Sequence, residues 1–267
     1  MNSAVDYSSW KEEYKSILET FSGKNVMMLF SGGKDSSLAM DFILRAGKEV
    51  GFDFKVHAGA FPVHRYTDSE RESIESYWNK RGINIIWHEV AETDGNINNA
   101  ANPCFPCRKL RRELLKTIVT DAGYDMESII FIVGYSLWDI VGYSIEHILS
   151  DIFSNSDKRV GTEKNQRFME TAQRFYPLLR MKEGYMVFRP LIKYNGADIE
   201  KCIRETNIPV LSIPCKFKEF RPKRVFEKYY LDTGIHFDYD KVLKFARRSL
   251  GLPGISVFTS IVIDEYL

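Results

Sequence analysis

Long apolar runs are missing from this chain. None reaches the ~20 residues needed to cross a bilayer as a helix, so no membrane partner is expected. A surplus of one charge is missing too: 37 Lys and Arg face 36 Asp and Glu, for a net charge of +1. A protein that lives on a phosphate backbone usually has a clear basic excess. A broad nucleic-acid footprint is therefore not expected. Local anion contacts fit better, where basic residues cluster: Arg108, Lys109, Arg111 and Arg112, then Lys216, Lys218, Arg221, Lys223 and Arg224. Cysteine is scarce, at four residues. The first residues lack the basic and apolar regions of a signal peptide, so the expected compartment is the cytoplasm. There, a few cysteines point to metal or redox chemistry more than to a disulfide framework. Internal repeats and low-complexity tracts are absent, which argues against fibrous or disordered classes. What remains is 267 residues, 44% of them hydrophobic, enough for one large core with small appendages.

Apolar runs and helical patterns alternate along the chain. Residues 6–22 read as an amphipathic helix. NVMMLF at 25–30 reads as a strand buried on both faces, and residues 37–48 as a helix. Further strands are expected at 54–61, 83–90, 128–133 and 187–190. Further helices are expected at 69–81, 108–122, 140–153, 166–180 and 197–206. The Asn-rich stretch 91–103 and residues 154–165 read as loops, and 216–267 as helical at first and then apolar. Such alternation implies an α/β, doubly wound, mainly parallel sheet with helices on both faces. Ligands of such sheets bind beyond the C-terminal strand ends, at the switch point.

The most informative residues follow the first strand: Ser31, Gly32, Gly33, Lys34, Asp35, Ser36 and Ser37. Two glycines let the backbone approach an anion and aim several N–H groups at it. The helix that follows adds the positive end of its dipole. The serines supply hydroxyl donors and Lys34 a cation, while Asp35 suits helix capping or a share in holding Mg²⁺. The string is not a Walker A motif. It resembles SGGxDS, the signature of the PP-loop ATP pyrophosphatases. That resemblance implies ATP cleaved between its α and β phosphates, with pyrophosphate held in the loop. By the family's pattern Phe30, Ala58, Gly59 and Ala60 contact the adenosine, and Gly134 lies beside the α-phosphate. On this division, residues 1–22 form an N-terminal helix and 23–215 the PP-loop domain. Residues 216–267 are a small helical extension that serves as a subdomain, a packing arm or a homodimer contact.

Cys104 and Cys107 form a C-x-x-C pair ahead of a basic helix, and Cys215 follows a late proline. Thiols near arginines and a helix N-terminus have lowered pKa values, which favours metal binding or nucleophilic attack. The residues alone leave four readings open: an iron–sulfur cluster, a structural zinc, a persulfide-forming redox pair, or inert core thiols. Cys202, flanked by helix positions Ile199 and Ile203, reads as a small buried hydrophobe. The five histidines are scattered and read as structural, with His64 and Arg65 nearest the expected cleft. Leu110-Arg111-Arg112 with Leu114, and the later Arg189-Pro190-Leu191, extend the likeness. Together with the cysteines they resemble the tRNA 2-thiocytidine and 2-thiouridine synthetase branch of the same superfamily. In that branch three cysteines hold an iron–sulfur cluster, which implies Cys104, Cys107 and Cys215 as ligands here. The chain departs from the branch at Gly134-Tyr135-Ser136-Leu137-Trp138-Asp139, where a G-H-x-x-D-D-like string is usual. It also shows no terminal zinc-finger pairs and no separate RNA-binding domain.

The resemblance implies an ATP-dependent sulfurtransferase. An acceptor oxygen attacks the α-phosphorus, pyrophosphate leaves, and sulfur then displaces AMP. Lys34, Asp35, Cys104 and Cys215 are the expected catalytic residues, and ATP, Mg²⁺ and a cluster the expected cofactors. The expected partners are a sulfur donor (sulfide or a cysteine desulfurase-type carrier) and an acceptor, either tRNA or a small metabolite. The residues 94–103 are the expected moving part. The alternative is an amidating ligase of the same superfamily, with nitrogen as nucleophile and no cluster.

Overall fold

The computed structural model describes residues 5–60, 66–90, 94–149, 168–211, 215–217, 220 and 222–262. Its centre is a six-stranded sheet in the order β3-β2-β1-β4-β6-β5. The strands are β1 (Asn25–Phe30), β2 (Phe54–Ala60), β3 (Ile85–Glu89), β4 (Ile129–Val133), β5 (Leu178–Arg180) and β6 (Met186–Phe188). All neighbours run parallel except β5, which pairs antiparallel with β6. The chain builds outward from β1 through β2 to β3, then returns to lay β4 on the other side of β1. The switch point of the sheet therefore lies between the C-terminal ends of β1 and β4.

Strand alternation sorts the core into two layers. Val26, Met28 and Phe30 of β1, with Ile130 and Ile132 of β4, face one layer. It is covered by α1 (Tyr7–Leu18), α2 (Lys34–Val50), α3 (Asp68–Asn79) and, farther along, the helix Gly196–Thr206. Met27, Ile129 and Phe131 face the other layer. There lie α5 (Cys104–Ala122), which follows the single turn α4 (Gly95–Asn98), and α6 (Leu137–His147). With Gly196–Thr206 as α7, the last two helices are α8 (Pro222–Thr233) and α9 (Tyr239–Ser249). Tyr230 of α8, Ala246 of α9 and the fully buried Phe258 complete the second layer. No helix among the described residues is long and apolar enough to cross a membrane.

Three expectations are corrected. Of the helix expected over 166–180, residues 168–172 are helical, but it tightens into a 3-10 turn at Gln173–Phe175 and gives way to β5. Pro177 drives the preceding Tyr176 out of the helical region, and Tyr176 is extended at ψ 133°. The stretch 91–103, expected to be loop throughout, contains α4, whose Ile97 is fully buried. The helix expected from residue 108 begins at Cys104. Pro106 falls within its first turn, where backbone N–H groups have no partner inside the helix and proline costs little. The loop expected at 154–165, and His64 and Arg65, lie outside the described residues.

Candidate functional site

The loop between β1 and α2 sits at the switch point. Gly32 is left-handed at φ 72°, which favours glycine, and Gly33 is extended where α2 begins. No side chain caps the first N–H groups of α2. That end of the helix carries N–H donors and a partial positive charge. The serines lock the loop from within. Ser36 Oγ donates to Gly33 O at 3.0 Å, accepts from Ser31 N at 3.3 Å and lies 3.0 Å from Ser31 Oγ. Ser37 N donates to Gly33 O at 2.9 Å. Ser36 and Ser37 are both buried, so they act as scaffold while Ser31 stays exposed.

Two neighbours press on this loop. Gly134, just past β4, is so close that a Cβ there would stand 2.8 Å from both Cα and N of Ser36. Only a glycine lets the ends of β1 and β4 come together at this depth. From the other side, Leu211 N donates to Gly32 O at 2.8 Å, and a Cβ on Gly32 would collide with the Leu211 side chain at 2.3 Å. Leu211, four residues ahead of Cys215, is thereby docked on the loop. No sequence signal marks Leu211, because the contact joins residues far apart in the chain. Phe30 and Ala58 are buried and lie opposite each other in the β1–β2 register. Gly59 and Ala60 continue β2 toward the same strand ends. The sequence-expected nucleotide residues thus gather at one end of the sheet.

The electrostatics are those of interleaved opposite charges. Lys34 Nζ bonds Asp35 Oδ1 at 2.8 Å and sits 5.8 Å from the centre of the Trp138 ring. Burial disfavours the Lys34 charge, but the adjacent Asp35, by charge and hydrogen bond, outweighs it and holds the pKa above the ordinary lysine range. Asp139, in the first turn of α6, is buried, and its Oδ2 accepts from Ser136 N at 3.0 Å. Burial pushes its carboxyl up, yet the ion pair with Lys223 of α8 wins and holds it well below the usual carboxylate range. Gly142 of α6 lets α8 approach, since a Cβ there would be 3.3 Å from that of Lys223.

Cys104, Cys107 and Cys215 lie on two segments that touch each other. Cys104 and Cys107 lie one turn apart at the start of α5, on the same side of the helix. Cys104 N donates to Asn102 Oδ1 at 3.1 Å, and Cys104 Sγ lies 3.9 Å from Phe220 O. Lys216, next to Cys215, pairs with Asp94 at 3.2 Å. These two contacts bring the Cys215 segment alongside the start of α5. All four cysteines are partly buried and in no disulfide. Three thiols suit an iron–sulfur cluster in kind, but not as arranged. Among the described residues no three His, Cys, Asp or Glu side chains converge so as to hold a metal ion. Cys202 packs against the first core layer on α7, where burial pushes its thiol up.

No protein-family model matches the chain, and none of the curated proteins does. Solved structures do. A U34-tRNA thiolase, NcsA, from Methanococcus maripaludis, determined with its 4Fe-4S cluster, superposes with a TM-score of 0.62 at 16% identity. The match covers 93% of this chain and 81% of that one. An NH3-dependent NAD synthetase from Campylobacter jejuni, in complex with nitrate, aligns over 97% of this chain and 98% of that one, at 12% identity and a TM-score of 0.46. The likeness to the thiolase is one of fold, an α/β, mainly parallel sheet with helices on both faces.

Proposed function

We propose that this chain is a PP-loop enzyme that uses ATP to adenylate an acceptor oxygen and then replaces that oxygen with sulfur. The observation that carries the reading is the loop 31–37, pressed by Gly134 at the switch point and opening onto the uncapped start of α2. Backbone N–H groups there, with Lys34, neutralise charge that builds on the pyrophosphate as the α–β bond breaks. Asp35 shares in holding Mg²⁺, which supplies further neutralisation when bound. The acceptor's oxygen attacks the α-phosphorus and pyrophosphate leaves. The adenylated carbon then has AMP as a good leaving group. Phe30, Ala60 and Gly134 border the nucleotide, with Ser31, Gly32, Gly33, Ser36 and Ser37 around its phosphates.

The cysteines supply the sulfur step. The thiolase of similar fold carries a 4Fe-4S cluster, but Cys104, Cys107 and Cys215 are not arranged to hold a metal here, and no step is routed through one. A persulfide on Cys104, formed by transfer of sulfane sulfur from a persulfide-bearing donor that leaves as a thiol, attacks the adenylated carbon and expels AMP. Cys107, one turn away, then attacks the Cys104 sulfur, which forms a disulfide and frees the thiolated product. An external thiol reductant restores the pair. Cys215, beside the start of α5, is the other site for the persulfide. The acceptor is a tRNA base, as for the thiolase, or a small metabolite. Without a basic surplus, tRNA contact rests on local clusters such as Arg108 and Lys109.

The test pairs two measurements. The protein is incubated with ATP, a low-molecular-weight persulfide as sulfur donor, a thiol reductant, ammonium and bulk tRNA or nucleobases, and AMP, pyrophosphate and thiolated product are followed. Cys104→Ser, Cys107→Ser and Cys215→Ser are expected to bind ATP normally and to lose thiolation. Full turnover in all three variants, with ammonia incorporated instead, would establish an amidating ligase.

A further inference from the structure

One group of charges beside the loop takes no part in that chemistry. Helix α8 lies against α6 through Lys223, whose ammonium pairs with the buried Asp139 and whose Cβ packs on Gly142. Asp139 directly follows Trp138, whose ring faces Lys34. This chain of contacts ties α8 to the mouth of the loop. The next residue, Arg224, is about half exposed and pairs with Glu227 one turn on at 2.8 Å. Asp35 and Asp139 both act on the charge of Arg224, and Glu227 acts on that of Lys34, so these groups share one field.

Within this group Lys34, Lys223 and Arg224 balance Asp35, Asp139 and Glu227. A bound phosphate chain adds several negative charges to a balanced set, and one cation must reorient to meet it. Lys34 is held by Asp35, and Lys223 by a buried carboxylate. The Arg224–Glu227 pair is different. It is a short-range pair along one helix in which the guanidinium is half exposed while Glu227 is largely buried, so Arg224 is the member with room to turn away. A guanidinium also gains more from phosphate than from a single carboxylate oxygen, because its fork binds two oxygens at once.

We propose that Arg224 is a further nucleotide-binding residue, released from Glu227 to engage the phosphate chain held in the 31–37 loop. The Lys223–Asp139 pair acts as the positioning contact that keeps α8 within reach. Glu227 is then a built-in competitor for Arg224. The C-terminal extension becomes part of the active site. This rests on the loop being a nucleotide site.

The experiment is calorimetric titration of magnesium pyrophosphate into the full chain, which needs no acceptor and no sulfur. Arg224→Ala is expected to weaken binding at least tenfold. Arg224→Lys is expected to recover only part of that loss. Glu227→Gln, which removes the competitor, is expected to tighten binding severalfold, and it decides the matter if Arg224→Ala proves unstable. Pyrophosphate affinity within twofold of wild type in both Arg224→Ala and Glu227→Gln, with Lys34→Ala strongly impaired, would overturn the proposal and leave the ATP reading standing. No pyrophosphate or ATP binding by the wild type would overturn both.

Discussion

At the scale of single residues, glycine and histidine make the sharpest expectations. Gly134 stands 2.8 Å, measured to the Cβ it lacks, from backbone atoms of Ser36, and backbone cannot swing aside as a side chain can. Gly134→Ala should therefore push the loop off its position, at about 1–3 kcal/mol, the usual cost of overpacking. The expected result is a folded protein whose ATP affinity falls tenfold or more, read by calorimetry beside a melting curve. His57 of β2 makes a different point. Its Nδ1 lies 3.0 Å from His88 Nε2, and its own Nε2 is buried without a hydrogen-bond partner among the described residues. Burial first, then His88 and Lys55, lower its pKa from the ordinary 6.5 to about 4. A histidine depressed by folding stays neutral in the native state, so its contribution is present above pH 6.5 and lost as pH falls toward 4. Urea denaturation of wild type and His57→Gln across that window should show the steeper loss in wild type. Equal slopes would mean the pair contributes nothing.

At the scale of elements, α6 and α8 are joined by a charge pair from which water is largely excluded. Side-chain exposure is 3% for Asp139 and 15% for Lys223. Removing one partner leaves a buried charge without compensation, at about 3–5 kcal/mol, whereas replacing both together costs far less. Lys223→Met should thus destabilise the protein strongly, and Asp139→Asn added to it should restore part of the loss. A double-mutant cycle in urea measures the coupling, and additive losses would show that the pair does not latch the helices. The start of α5 is the other telling element. Helical spacing identified its basic body, but the proline inside the C-x-x-C pair hid the first turn. Both cysteines consequently ride on the helix itself, one turn apart.

At the scale of the molecule, the two ends of the chain close the two faces of the sheet. Trp10 of α1 is fully buried, touches Phe42 of α2 at a ring distance of 5.2 Å, and donates from Nε1 to Pro190 O at 2.8 Å, just beyond β6. It therefore joins the start of the chain to the far half of the sheet. Trp10→Ala should cost about 3–5 kcal/mol, as for other buried large-to-small changes, seen as a lower midpoint in a single cooperative transition. Two separate transitions would show that α1 is an independent unit. On the opposite face Tyr230, Ala246 and Phe258 are buried in the second layer, so the extension is packed into the core.

The parallel sheet, its principal strands and the loop 31–37 were legible in the sequence, because each depends on local pattern: runs of apolar residues, glycines at a turn, serines at a helix start. Strand β5 was not, since Leu178–Arg180 becomes a strand only by pairing with β6 while Pro177 breaks the helical pattern ahead of it. The cysteines could be singled out by spacing, but not their arrangement, which depends on how Lys216 and Phe220 meet Asp94 and Cys104 across more than 110 residues. The same holds for Leu211 on Gly32 and for Lys223 on Asp139. Local sequence specifies what a residue can do chemically, whereas contacts between distant segments decide which of those groups face one another, and only the packed chain sets them.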